Sequence, residues 1–357
     1  MNYTINDILG SPQIIGAVID RVKAVQNDQP FWRDYLSFRE TNSDIFATAY
    51  GAKSAVRMGS VIDAYSEKPI RNRQGLVEGT LQVANLGDRF QMDNARLEQM
   101  QTLIDRLNRS GMDANSVREV TDFLVDDFNE LVLAPEKRMD KVLSDLMLNG
   151  TASITLKDNP QGVQVLDLEI PTNKEEAKTT DKGKLFTLLQ KLATKYRRYR
   201  YREVLMSNET FAKYFMLSDE FKALFKQKLG TNEATVTGLL TIDMLSALFQ
   251  SFGLPKVRVV SQFVRTLTDE DIPMLEEGKI AFVPEGNLGY MRWKRTYESG
   301  DRVPGKVYTE AEGGILVATE RTNKGRFMEY ECKWVPEIAQ ARAIVNIDLT
   351  KAKSSKV

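Results

Sequence analysis

NSVREVTDFLVDDFNELVLAPEKRMDKVLSDLMLNG, residues 115–150, decides the architecture of this chain. Val117, Val120, Leu124, Phe128 and Leu131 recur at steps of three or four, and Met139, Val142 and Leu146 resume the pattern. That is the period of one apolar helix face. Gly150 is a suitable residue to end the helix after Asn149, because it adopts a left-handed conformation without a Cβ penalty. Pro135 interrupts the run and either kinks one helix or opens a second after a break. Taken as a single element, residues 115–149 would be about 50 Å long at 1.5 Å per residue. A globule of this length has a radius of gyration of about 20 Å. Such a helix is a spine, not a surface element.

On the N-terminal side the pattern predicts another helix over Asp93–Ser110, closed by Gly111. Residues 31–92 are extended in character, with β-rich runs at Asp44–Tyr50 (DIFATAY) and Thr80–Phe90 (TLQVANLGDRF). The polar stretch between them, Ala52–Val77, is far longer than an ordinary hairpin loop of about 2–5 residues and reads as a protruding arm with its tip at 52–77. Residues 1–30 read as an N-terminal arm carrying a short amphipathic helix near Ile14–Val22, outside the core. On the C-terminal side, Thr151–Leu156 and Val163–Ile170 form a strand pair across the turn Asp158–Gly162. Helices are expected over Lys184–Arg198, Ser218–Leu229 and Thr241–Phe252. Strands are expected over Tyr199–Met206, Val257–Val264, Lys279–Val283, Gly289–Lys294, Gly314–Thr319, Phe327–Val335 and Ala341–Leu349, and the tail 351–357 is expected to be disordered. The class is α+β.

Composition removes whole classes of chemistry. The 49 basic and 49 acidic residues cancel, which argues against a dedicated nucleic-acid binder. The absence of His removes Ser-His-Asp and Cys-His catalysis and the usual zinc sites. A single Cys excludes an intrachain disulfide framework. The longest apolar stretch near the N-terminus, Ile14–Ile19, is far short of the roughly 20 residues a membrane span needs.

The remaining candidates favour structural readings. Gly286-Asn-Leu-Gly289 lies between strands, so the phosphate-binding context of a glycine-rich loop fails. Asp126–Asp127 and Asp269–Glu270–Asp271 are carboxylate clusters, but adjacent acids on a helix diverge by about 100° and do not share a ligand sphere. The run Lys195-Tyr-Arg-Arg-Tyr-Arg-Tyr-Arg202 could set Arg on phosphates and Tyr on bases. It reads more simply as a helix C-terminus followed by a half-buried strand. Cys332 alternates with Met328, Tyr330 and Trp334 on an apolar face and reads as a buried thiol. No catalytic residue, cofactor or metal site is expected.

The order of elements resembles the major capsid protein of tailed bacteriophages, in the lambda-type head protein family with the Hong-Kong-97-type fold. Four stretches carry the likeness. They are Leu146-Met-Leu-Asn-Gly150 with TASITL and VQVLDLEIP behind it, and Val204-Leu-Met-Ser-Asn208 through Phe221–Leu229. The others are Gly278–Gly286 through Gly289, and Met328-Glu-Tyr through Val345-Asn-Ile-Asp348. The resemblance implies a peripheral domain at 93–183 with the spine helix 115–149, and an axial domain at 184–271 whose loop 230–241 lies near the capsomer axis. It also implies returning strands at 272–350. It further implies many copies of the chain in hexamers and pentamers, a virion capsid assembled in the host cytoplasm, and packaged double-stranded DNA contacted without sequence specificity. A portal, a separate scaffolding protein and a decoration protein are the implied partners.

Charge adds one expectation. The loop Ala52–Val77 carries Lys53, Arg57, Lys68, Arg71 and Arg73 against two acids, and the first half of the spine carries Glu119, Asp122, Asp126, Asp127 and Glu130 against Arg118. The basic loop of one copy is expected to dock on the acidic spine of its neighbour. Two alternatives stand beside the capsid reading: an encapsulin-type compartment shell with the same architecture, and a His-free, carboxylate-dependent enzyme of two domains.

Overall fold

The computed structural model describes residues 2–25, 30–52, 76–111, 113–154, 166–229, 240–266, 270–323 and 325–352. The arm tip at 53–75, the turn Asp158–Gly162, the loop 230–239 and the tail 353–357 lie outside the described residues.

Helix α1 (Ile5–Leu9) opens on a capping box between Thr4 and Asp7, and α2 (Pro12–Val25) starts at a proline whose fixed φ suits the first turn. A 3-10 turn, Phe31–Asp34, leads into β1 (Leu36–Glu40). Strands β2 (Ile45–Tyr50) and β3 (Val77–Gln82) pair with each other. The single strand expected over Thr80–Phe90 is two, β3 and β4 (Ala84–Met92): at the break, the Val83 N–H donates to the Asp44 carbonyl at 2.8 Å. Helix α3 (Asn94–Arg109) is capped by Asp93, whose carboxylate accepts from the Arg96 N–H at 2.6 Å. Asp93→Ala should therefore cost about 1 kcal/mol in denaturant unfolding; unchanged stability would remove the cap from the account.

Helix α4 (Ala114–Asn149) runs 36 residues without a break, Pro135 included, and stops at Gly150 with φ +72°. Beyond it come β5 (Thr151–Ile154), β6 (Leu166–Glu169), β7 (Asn173–Glu176), α5 (Leu185–Lys195) and β8 (Tyr201–Ser207). A short α6 (Asn208–Thr210) passes into a π-helical turn, Phe211–Met216, and α7 (Asp219–Leu229) and α8 (Ile242–Ser251) follow. The expected strand Val257–Val264 divides into β9 (Lys256–Val260) and β10 (Phe263–Arg265), the latter paired with β11 (Asp271–Pro273). The chain closes with β12 (Lys279–Pro284), β13 (Gly289–Lys294), α9 (Tyr297–Gly300), β14 (Lys306–Ala311), β15 (Ile315–Thr322), β16 (Gly325–Glu337) and β17 (Val345–Asp348). Residues 341–343, expected as the start of the last strand, form a 3-10 turn instead.

Two compact units divide the chain. The first comprises Met1–Phe46, Leu81–Asp140 and Tyr290–Pro336. Its sheet has the order β1-β13-β16-β15-β14, with β4 antiparallel to β16. Along β16, Met328, Tyr330, Cys332 and Trp334 are buried while Glu329, Glu331 and Lys333 between them are half-exposed, as the alternation predicts. Burial pushes the Cys332 thiol well above its ordinary range, which makes it inert. The N-terminal arm departs from expectation. Ile15, Val18, Ile19 and Val22 are buried, and α2 packs on β14, so this segment is core.

The second unit comprises Ala47–Thr80, Lys141–Gly289 and Glu337–Val357. Its sheet runs β7-β17-β12-β8-β9, with β7 and β9 parallel to their neighbours and the rest antiparallel. Helices α5, α7 and α8 cover it through an aromatic cluster in which Phe215, Phe221 and Phe249 are fully buried. Their rings lie 5.1–6.3 Å apart, within range of favourable edge and tilted contacts.

Candidate intersubunit surface

Spine helix α4 is fastened to the N-terminal segment by two buried carboxylates one turn apart. Glu136 Oε2 accepts from the Trp32 indole N–H at 2.5 Å, and Glu136 Oε1 accepts from the Arg33 guanidinium at 2.6 Å. Asp140 Oδ1 accepts from the Trp32 backbone N–H at 2.9 Å. The Trp32 ring sits among Phe38, Trp334 and the Arg33 guanidinium. On the same helix, α3 returns antiparallel across the turn at Gly111 and answers part of the acidic face. Arg106 pairs with Glu119 at 2.7 Å, and Arg96 pairs with Asp127 at 2.8 Å while stacking on the Phe123 ring.

The strands that flank residues 53–75 are pinned in the second unit. The Gly51 N–H donates to the Ala339 carbonyl at 2.7 Å, and the Thr48 hydroxyl donates to Glu337 Oε1 at 2.6 Å. Gly79 is required by close approach, since a Cβ there would fall 2.7 Å from the Tyr50 ring. Burial and the nearby Glu337 carboxylate push the Tyr50 hydroxyl up to about 12. Leu76, immediately before β3, is 66% exposed, and Val77 beside it is 40% exposed.

No protein-family profile and no curated protein matches the chain. Solved structures do. A protein assigned as the capsid protein of a prophage in Escherichia coli CFT073 superposes with a TM-score of 0.53 at 10% identity, over 95% of this chain and 99% of that one. This is the Hong-Kong-97-type capsid fold. A phage-related protein of Bordetella bronchiseptica RB50 aligns over 94% of this chain and 97% of its own at a TM-score of 0.48 and 13% identity. A virus-like particle from Pyrococcus furiosus aligns at 0.41 and 10% identity, over 94% and 97% of the two chains.

Within the capsid fold, the five acids singled out on the spine have different fates. Glu119 and Asp127 are taken by α3, and Asp122 lies 3.5 Å from Arg118 one turn back. Asp126 and Glu130 are exposed and make no ion pair among the described residues. Burial raises the Asp127 carboxyl against the opposing charge of Arg96. Reading the α3 arginines against the α4 acids would have found these pairs, because separations of 13 and 31 residues are those of an antiparallel helix pair. Lys53, Arg57, Lys68, Arg71 and Arg73 lie outside the described residues. The tyrosines of the basic–aromatic run face the protein interior, while Arg197, Arg198 and Arg200 are exposed. Tyr196 donates to Glu175 at 2.5 Å, Tyr199 meets Tyr201 edge to face, and Tyr201 packs tilted against Phe282, so these rings are spent inside the protein. Among the described residues, no group of His, Cys, Asp and Glu is arranged to hold a metal ion, and no helix is long and apolar enough to cross a membrane.

Proposed function

We propose that this chain is a major capsid protein that assembles into the hexamers and pentamers of an icosahedral phage head enclosing double-stranded DNA. The observation that carries the reading is the fold shared, over nearly the whole of both chains, with the E. coli prophage protein. The physics of the chain supports it. A 36-residue helix and the exposed Leu76 and Val77 support a chain built to meet copies of itself. In this reading residues 184–271 form the axial domain around the capsomer centre, residues 93–183 form the peripheral domain, and residues 272–350 supply returning strands to both. The chain performs no catalytic step. Its partners are further copies, a separate scaffolding protein, a portal, a decoration protein and the DNA backbone, and its place is the virion, built in the host cytoplasm.

The arm's Lys53, Arg57, Lys68, Arg71 and Arg73 meet the neighbouring spine, chiefly at Asp126 and Glu130, with Glu119, Asp122 and Asp127 adding to the field. Each exposed pair is worth about 0–1 kcal/mol, but symmetry repeats it around every capsomer. The triple reversal Lys68→Glu, Arg71→Glu and Arg73→Glu should leave the circular dichroism and melting of the chain unchanged and abolish assembly in sedimentation. Normal particles from that variant would refute the pairing.

A further inference from the structure

The tip of the β15–β16 hairpin sets two arginines against each other: the antiparallel register places Arg321 directly opposite Arg326. Opposed residues project to the same face of a sheet, and like charges so placed repel. Helix α1 lies over this face, since Thr319, two residues before Arg321, donates its hydroxyl to the Leu9 carbonyl at 2.6 Å. Both guanidinium groups turn to one neutral oxygen. Arg321 Nη1 donates to Asn6 Oδ1 at 3.5 Å, and Arg326 Nη2 donates to the same atom.

Arg326 is only 6% exposed, and among the described residues neither arginine has a carboxylate partner. The acids beside Arg321, Asn6 and Met92, and Glu329 on β16, are committed elsewhere, Glu329 to Lys306 and Arg89. Glu320 alternates to the other face and pairs with Arg89 at 2.5 Å, Asp7 caps α1 through Thr4, and Asp93 caps α3. Burial and the charge of Arg321 hold the Arg326 guanidinium below its ordinary range. A buried guanidinium without a counter-charge is costly, and one amide oxygen cannot satisfy two five-donor forks.

We propose that Arg321, Arg326 and Asn6 form an anion site that takes a phosphate group. Tetrahedral phosphate supplies the missing negative charge and enough oxygens to accept from both planar forks at once. The phosphate comes either from a nucleic-acid backbone or from free phosphate; the first source rests on the proposed function and the second does not.

The test is calorimetric titration of the full chain at constant ionic strength, in one arm with inorganic phosphate and in the other with a short double-stranded oligonucleotide of arbitrary sequence. Because Arg321 is exposed, Arg321→Gln should fold normally and weaken binding about tenfold or more, and Arg321→Lys should restore only part of it. Oligonucleotide binding that free phosphate competes away identifies the backbone as the source, and binding of phosphate alone identifies the free anion. Equal binding by wild type and Arg321→Gln, or no binding in either arm, overturns the site. Loss of shells in Arg321→Gln with no phosphate bound by the wild type would make the counter-ion a carboxylate of another copy, and the phosphate assignment falls. Shell formation is scored separately by electron microscopy. Phosphate binding without shells would sink the proposed function and leave this site standing.

Discussion

Glu136→Ala should destabilise the unit that holds the N-terminal segment by about 3 kcal/mol, the lower end of what breaking a buried ion pair costs. Glu136 is 2% exposed and serves two donors at once, the Trp32 indole and the Arg33 guanidinium. Truncation strands a buried N–H and removes the better of two carboxylates from Arg33. The loss is moderated because Arg33 keeps Glu312 at 3.1 Å and is itself partly exposed. Urea unfolding followed by tryptophan emission measures it directly, since Trp32 is fully buried in the native state. Glu136→Gln retains an acceptor for the indole and should recover about half of the loss. A change below about 0.5 kcal/mol in Glu136→Ala, the range of ordinary surface substitutions, would contradict the latch.

Asp140→Asn should change how stability depends on pH. The Asp140 side chain is fully buried, and its Oδ2 has no hydrogen-bond partner. Burial raises its carboxyl from 3.8 to about 7, reinforced by the nearby Glu136 charge and opposed by the Trp32 and Phe31 N–H groups and by Lys137. The folded chain therefore keeps this proton until near neutrality, whereas the unfolded chain releases it near pH 4. Between those values the folded state binds more protons, so raising the pH lowers stability, by at most about 1.4 kcal/mol per pH unit. Asparagine keeps an acceptor for the Trp32 N–H and never ionises. The melting temperature of Asp140→Asn should thus gain on the wild type as pH rises from about 4 to 7 and hold its lead above that. Parallel curves across the window would show that Asp140 does not carry a raised pKa.

What the sequence discloses is mostly local. The period of Val120, Leu124, Phe128 and Leu131 locates α4, Asp93 and Gly150 mark helix ends, and the alternation around Cys332 locates a buried strand. Pro135 is ambiguous by itself. It forfeits one backbone bond, to the Leu131 carbonyl, but its turn is held by packing, with Leu131, Val132 and Met139 all fully buried. The burial of α2 escaped because its apolar residues look like those of any amphipathic helix, and β14, nearly 300 residues along the chain, supplies surface against them. The latch is harder still. Glu136 and Asp140 meet Trp32 across separations of 104 and 108 residues, and nothing in the charge pattern distinguishes them from a solvated helix face. The partners of Glu119 and Asp127 are hidden for a related reason: Arg96 and Arg106 lie on a neighbouring element, and a charge sum over α4 alone leaves them out.

Electron microscopy of the purified full-length chain tests the central claim most directly. The account predicts closed icosahedral shells, or tubes and free capsomers made of six- and five-membered rings, with each ring contact repeated by symmetry. A homogeneous monomer or small fixed oligomer, under conditions where the chain is folded and its tryptophan emission native, would contradict it.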